Sequence, residues 1–260
     1  MKKYDDLVEF WQHKNIKTSE QLEQALDNFR ILFAYHSGKI ENKEINFHDT
    51  REIFENGKVL NFTCDPRNLF EQQNQKLCYE YLVDKIIKKD PITLDLIKEV
   101  HLLLTQGTFD HKRFIENDER PGQFKKHDYV LGQFEVGEPP ELIPNLLQEL
   151  VDEISEEISN PLKVATYFHA KFEFFHPFAD GNGRVGRTLV NYYLMIHNRP
   201  PLIIYDEDKK LYYEALGAYD KTEDIEPLFL FLEYESTKTW ERQLERFLRD
   251  HMAADWGLEQ

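Results

Sequence analysis

The sequence predicts an all-α fold carrying one small β-hairpin, and three observations point to it. Apolar residues recur at helical spacing along most of the 260-residue chain. Helix starts are signalled repeatedly, by Thr18-x-x-Gln21, Asp65-Pro66 and Asn160-Pro161. Only the run from Gly122 to Gly137 departs from that period, with Tyr129-Val130-Leu131 as a β-prone stretch closed by Gly132.

Each element can be justified in turn. The capping box at Thr18 opens a helix with Leu22, Ala25, Leu26, Phe29, Leu32 and Phe33 on one face. It is expected to stop at Ser37-Gly38, because glycine disfavours helix interiors. Asp65 as N-cap and Pro66 in the first turn open a second helix. Its inward stripe is Leu69, Phe70, Leu77, Tyr81, Leu82 and Ile86. Leu94, Ile97, Val100 and Leu104 make a third, closed by Gly107. The stretch from Gly122 reads as a hairpin or as an ordinary surface loop. After Pro139-Pro140, Ile143, Leu146, Leu147, Leu150, Ile154 and Ile158 make a fourth helix. Asn160-Pro161 starts a fifth, carrying Ala165, Phe168 and Phe172. Helical patterns continue over 184–198, 208–219 and 226–250. No linker divides the chain, so residues 1–60 are read as a helical extension packed on a core formed by 61–260.

Charge and composition exclude several function classes. The chain holds 32 Lys and Arg against 48 Asp and Glu, a net charge of −16. Such a field repels nucleic acid and anionic membrane unless a local basic patch reverses it, so neither is an expected partner. No apolar run approaches the roughly 18 residues of a membrane span, and Asp5-Asp6 stand where a signal peptide needs its apolar core. Two cysteines, Cys64 and Cys78, are too few for a disulfide framework and lack the company of a zinc site. A soluble, reduced, cytoplasmic protein is expected.

Chemistry concentrates in one segment, His176-Pro-Phe-Ala-Asp-Gly-Asn-Gly-Arg-Val-Gly-Arg187, between two amphipathic helices. Gly181 and Gly183 let the backbone approach a ligand closely, and N–H groups at a helix start favour an anion. Asn182 adds a neutral donor. Arg184 and Arg187, three residues apart, can fork onto phosphate oxygens from one helical face. Asp180 suits an anion site only if it holds a hard cation, and Mg²⁺ with one carboxylate plus substrate phosphates fits. His176 is the side chain here whose ordinary pKa suits proton abstraction near neutrality. Read separately, a histidine before proline also suits a structural role, and His176 with Asp180 also suits a pair of transition-metal ligands.

Taken together, the segment resembles the signature of the Fic family (filamentation induced by cAMP), His-x-Phe-x-Asp-Gly-Asn-Gly-Arg-x-x-Arg. His176, Phe178, Asp180, Gly181, Asn182, Gly183, Arg184 and Arg187 meet every specified position. Chance agreement is on the order of 10⁻⁸ at about one-in-twenty usage per position. Pro121-Gly122 through Tyr129-Val130-Leu131-Gly132 is similar to the family's flap, which holds the target segment beside the active site. Pro200-Pro201, Tyr212-Tyr213 and Glu226-Pro227-Leu228 follow in family-like order. Two positions depart: Lys125 stands where the flap often has Arg, and Asp220 where some relatives have an adenine-side Asn.

The resemblance implies a Fic-type helical domain and a protein adenylyltransferase. His176 would take the proton from a Ser, Thr or Tyr hydroxyl of a target protein, or of the protein itself. That oxygen would attack the α-phosphate of ATP, with pyrophosphate leaving. Asp180 would hold Mg²⁺. Asn182 with the backbone of Gly181 and Gly183 would cradle the phosphates, and Arg184 and Arg187 would neutralise the leaving group. Val185 and Gly186 complete that segment, Tyr212 and Tyr213 would line the adenine pocket, and Phe178 would anchor the loop. His169 is read as a core histidine rather than a second base. Family members often self-associate, so a homodimer is the expected assembly.

Ser37-Gly-Lys-Ile-Glu41-Asn42 resembles the family's inhibitory motif, (Ser/Thr)-x-x-x-Glu-(Gly/Asn), which in the second class precedes the catalytic core on the same chain. By that resemblance Glu41 would pair with Arg187 and occupy the space needed by the γ-phosphate, with Ser37 as a local partner. A predominantly deadenylylating hydrolase, a kinase-like relative and a nucleotide-binding regulator without turnover are the competing readings. An intact Gly-Asn-Gly segment disfavours the kinase-like relative, and an intact His176 disfavours the regulator.

Overall fold

Local capping chemistry builds the helix starts. Thr18 Oγ1 accepts the Gln21 N–H at 3.2 Å while Gln21 Oε1 accepts the Thr18 N–H at 3.2 Å. Asp65 and Asn160 cap their helices through their side chains, accepting the Arg67 and Lys163 N–H groups, and each is followed by proline in the first turn. In the computed structural model, which describes residues 2–59, 65–131, 134–156 and 160–255, these starts belong to a helical assembly. In chain order the helices are α1 (Lys2–His13), α2 (Ser19–Ala25), α3 (Asp27–Glu41), α4 (Phe47–Asn56), α5 (Pro66–Lys88) and α6 (Leu94–Thr105). They continue as α7 (Ile143–Glu156), α8 (Pro161–Phe175), α9 (Asn182–Ile196), α10 (Lys209–Thr222) and α11 (Glu226–Asp255). Between α6 and α7 lie a π turn (Lys112–Glu116) and two three-residue strands, β1 (Tyr129–Leu131) and β2 (Phe134–Val136). The strands pair antiparallel, with Tyr129 opposite Val136 and Leu131 opposite Phe134. Gly132 lies outside the described residues, as do Ile158 and Cys64.

Helix α8 packs along α9 at the centre, with α7, α10 and α11 on α8 and with α5 and α6 against α9. The core runs without a break from Leu7, Trp11 and Leu26 through Phe168, Phe172 and Leu189 to Trp240. Trp240 stacks on Phe29 with ring centroids 5.8 Å apart and meets Trp11 at 5.3 Å. The first sixty residues therefore share their apolar interior with the rest of the chain. The expected boundary near residue 60 falls outside the described residues.

Two expectations about elements need correction. The helix expected to end at Ser37-Gly38 breaks earlier, at Leu26, and its second half runs on through Gly38 to Glu41. Gly38 is there for proximity, since a Cβ on it would lie 2.4 Å from Gln72 Nε2 of α5. Phe70, placed on the buried stripe of α5, is 48% exposed; the first half of the helix buries the polar Asn68, Glu71, Gln72, Asn74 and Gln75 instead, while Leu82 and Ile86 of the expected stripe are buried farther along. Helices α1 and α4 form where no cap or stripe had marked them. Among the described residues, no helix is long and apolar enough to cross a membrane.

Candidate active site

The site is built where α8 ends and α9 begins. His176 closes α8 as its C-cap in the left-handed region (φ 49°), its N–H donating to Phe172 O. Phe178, fully buried, lies flat on the imidazole of His101, with centroids 3.7 Å apart and planes 4° from parallel. Asn182 ties the loop shut: Nδ2 donates to Phe178 O at 2.8 Å and Oδ1 accepts the Phe178 N–H at 2.9 Å. Its side chain is thus spent on the loop. Gly181 is the N-cap of α9 (φ 81°) and supplies no side-chain cap, which leaves the first-turn N–H groups for another acceptor.

Those groups face a cavity of about 660 Å³. Of the residues singled out in the sequence, it brings together Glu41, Asn42, His176, the stretch Asp180–Arg184, Arg187, Tyr212 and Tyr213. It does not bring in Val185, which is fully buried in the core, or Gly186, which packs against Glu173 and His169 of α8. Tyr212 is buried and hydrogen-bonded to His169 Nε2 at 2.8 Å, while Tyr213 is 44% exposed at the cavity edge. His169 is a buried core residue, its pKa pushed down to about 3 by burial and then by Arg187.

Arg187 and Glu41 meet across the cavity. Nη2 of Arg187 donates to Glu41 Oε1 at 2.8 Å and to the Ser37 carbonyl at 2.9 Å, and Nε donates to Ser37 Oγ at 3.1 Å. Burial opposes the guanidinium's charge, but Glu41, with Tyr212 and Glu173, together outweigh it and the pKa rises. The same Oε1 rests over the start of α9, 2.4 Å from where a Cβ on Gly183 would sit. Glu41 therefore presents a carboxylate to both cationic features of the anion site, the helix N-terminus and Arg187. Asn42 caps α3 and docks it on α5, donating to Asn68 Oδ1 at 2.6 Å.

Burial lowers the His176 pKa to about 4, and the neighbouring Lys125 charge adds to this. A hydrogen bond to the Glu173 backbone orients the ring. Neutral imidazole at ordinary pH is the form that accepts a proton. The strand-bearing segment is fastened on both sides of this histidine. Lys125 N–H donates to Pro177 O at 2.9 Å and Glu138 N–H to Phe175 O at 3.0 Å. Glu119, fully buried, accepts from Lys126 N and Tyr129 Oη at 3.0 Å each, which fixes the base of β1.

Asp180 sits among arginines. Arg67 Nη2 donates to its Oδ2 at 2.7 Å, the Gly181 N–H to its Oδ1 at 2.7 Å, and Arg184 Nη2 stands 3.7 Å from Oδ1. Burial raises its pKa, but Arg184, Arg67 and Arg113 outweigh that and keep it ionised. Its hard carboxylate opens into the cavity, where Glu71 Oε2 is buried without a hydrogen-bond partner. The Asp180 carboxylate is the hard oxygen ligand that a divalent cation takes.

Residues 91–194 match the sequence model of the Fic/DOC family. The matched stretch contains the whole segment from His176 to Arg187. It is 29% identical to a Drosophila persimilis protein named Protein adenylyltransferase Fic, over 219 residues that cover 83% of this chain and 41% of that protein. A Nematostella vectensis protein of the same name is 27% identical over 242 residues, covering 87% and 51%. The chain thus spans about half the length of these curated relatives, or less. A crystal structure of a Fic-domain-containing signaling protein from Bacteroides thetaiotaomicron superposes with a TM-score of 0.80 at 22% identity, covering 94% of this chain and 96% of that one. That likeness speaks for the fold.

Several residues of this site were not apparent in the sequence: Arg67 and Glu71 of α5, His101 of α6, Arg113 of the π turn and Glu173 of α8. His101 donates from Nε2 to Asp180 O at 3.0 Å and accepts the Gly122 N–H on Nδ1 at 2.8 Å, so it holds the Asp180 loop and the strand-bearing segment together. The one signal available was the run of polar residues on the face of α5 that ought to be apolar.

Gly137 (φ 78°) gives a direct test of that fastening, because a Cβ there would lie 2.4 Å from both His176 Cβ and Phe175 O. Gly137→Ala is expected to lower stability by about 1–3 kcal/mol through overlap and strain. That corresponds to a loss of roughly 2–4 °C in Tm per kcal/mol, read by a thermal melt.

Proposed function

We propose that this chain is an autoinhibited protein adenylyltransferase, moving AMP from ATP to a hydroxyl side chain of a target protein or of itself. The observation that carries the reading is the convergence on one cavity of a neutral, oriented His176, an uncapped helix N-terminus and Arg187. The names of the curated relatives support it. In the proposed reaction His176 accepts the proton of the attacking hydroxyl. The N–H groups at the start of α9 and the Arg187 guanidinium hold phosphate oxygens and stabilise the charge on departing pyrophosphate. Arg184, 2% exposed and committed to Glu71 and Asp180, contributes charge from behind the loop. Tyr213 and Tyr212 offer aromatic faces for the base. The segment around β1 and β2, rooted on either side of His176, is suited to hold a target strand there.

Asp180 would hold Mg²⁺, which when bound neutralises phosphate charge and orients the phosphate chain. Ser37 and Glu41 would be the brake, tying up Arg187 until it is released. Transfer from ATP labelled at the α-phosphate, to this protein or to proteins of a lysate, tests the reading. Label retained from the α but not the γ position is the expected result, and label from the γ position alone would overturn it. Asp180→Ala is expected to lose transfer together with its dependence on Mg²⁺. An active, metal-independent variant would remove Asp180 from the cation site.

A further inference from the structure

Asp180 belongs to a closed ring of four charges. Arg67 bridges Asp180 Oδ2 (2.7 Å) and Glu71 Oε1 (2.9 Å), and Arg184 stands 3.5 Å from the same Glu71 oxygen and 3.7 Å from Asp180 Oδ1. Two carboxylates and two guanidiniums make this ring neutral without any added ion. Its members differ in freedom. The side chains of Arg184 and Glu71 are 2% and 4% exposed, whereas that of Arg67 is 34% exposed and lies in the cavity wall.

Resting on the reading of Asp180 as the cation ligand, we propose that Arg67 is a built-in competitor for that position. It holds the Asp180 carboxylate, and a divalent ion must displace it before binding. The physical reason is twofold. An ion at the roughly 2.0–2.1 Å typical of Mg²⁺ needs the carboxylate oxygen that Arg67 now occupies. A doubly charged ion beside an unmoved guanidinium would also meet direct repulsion in a partly dry site. Arg67 can yield because it is part-exposed, and its Nε contact with Glu71 retains it in the cavity wall after Nη2 lets go. Arg184 cannot yield in this way. The ring therefore holds the ion weakly until phosphates bring compensating negative charge, which links occupancy by cation to occupancy by nucleotide.

The test is binding of Mn²⁺ alone to the full chain, followed by the electron paramagnetic resonance signal of the free ion, with no nucleotide and no turnover. R67Q and R67M remove the competing charge and are expected to bind Mn²⁺ tighter by roughly 5- to 150-fold, the span of ordinary coupling between sites. R67K keeps a positive charge and should stay near the wild-type affinity. Thermal melts establish that each variant is folded, and either neutral variant suffices. Unchanged affinity in the folded neutral variants, with weakened binding in D180N, would overturn the competition and leave the cation assignment standing. An R67K affinity as tight as that of R67Q would also overturn it, because charge would then be irrelevant. Unchanged binding in D180N would place the ion elsewhere and remove both the competition and the assignment beneath it.

Discussion

His176→Ala should reduce α-phosphate transfer by roughly 10²- to 10⁴-fold while leaving ATP binding largely intact, since a general base typically contributes that much to rate. In the proposed reaction the imidazole is the proton acceptor, and the phosphate contacts are assigned to the start of α9 and to Arg187, all of which line the cavity. Binding of a nucleotide by titration calorimetry separates the two effects, and transfer at a near wild-type rate would remove His176 from the chemistry. A pH profile sharpens the test. With the pKa lowered to about 4 by burial and by Lys125, the base stays neutral through pH 5–8 and becomes protonated only as pH falls toward 4. The acid limb of kcat/KM should therefore lie near pH 4, well below the 6.5 of an ordinary histidine. Lys125→Met removes one cause of that lowering, so it should move the limb upward and leave the plateau otherwise in place.

The loop from His176 to Arg187 was legible because its chemistry is contiguous. His176 through Arg187 falls within one loop and the first two turns of α9, so residue order and spatial order coincide. Phe178 could be taken as an anchor for the same reason, and it is one, stacked on His101. The rest of the site is assembled from far along the chain. Arg67, Glu71, His101 and Arg113 come from α5, α6 and the π turn, and no short motif joins them. Helix α5 misled in a particular way. Periodicity assigns inward positions by hydrophobicity, but α5 turns Asn68, Glu71, Gln72, Asn74 and Gln75 toward the polar cavity and toward α3, and leaves Phe70 outside. Gly38 misled by the converse rule. A glycine inside a helix is unfavourable by propensity, yet here it buys the approach of α3 to α5 that brings Glu41 over Gly183. Tertiary contacts overrode local preference at both places, and both lie beside the site.

Glu41→Gly should raise transfer, including self-modification, by roughly 5- to 150-fold, although it deletes a charged group from the edge of the cavity. The carboxylate engages Arg187 at 2.8 Å and presses on the start of α9 at Gly183. Those are the two features that phosphate oxygens would otherwise use, so nucleotide and Glu41 compete for the same donors. Removing the carboxylate frees one of the two Nη2 contacts of Arg187, while Ser37 keeps Nε and the other. Arg187 is thus released toward the nucleotide while Ser37 still anchors it, which favours a gain over collapse of the site. Glu41→Gln separates charge from bulk: it should give a smaller gain, since the amide still fills the space beside Gly183 but no longer holds the guanidinium electrostatically. Arg187→Ala should be inactive, and the double variant E41G with R187A should be inactive as well, because the arginine serves substrate and brake alike. If Glu41 were merely a half-exposed end residue of α3, its removal would change transfer by little. Loss of transfer in a folded E41G protein would instead mean that the carboxylate takes part in the chemistry itself. Rates under saturating MgATP, with circular dichroism as the folding check, distinguish the three, and the gain is the outcome that the shared occupancy of Arg187 requires.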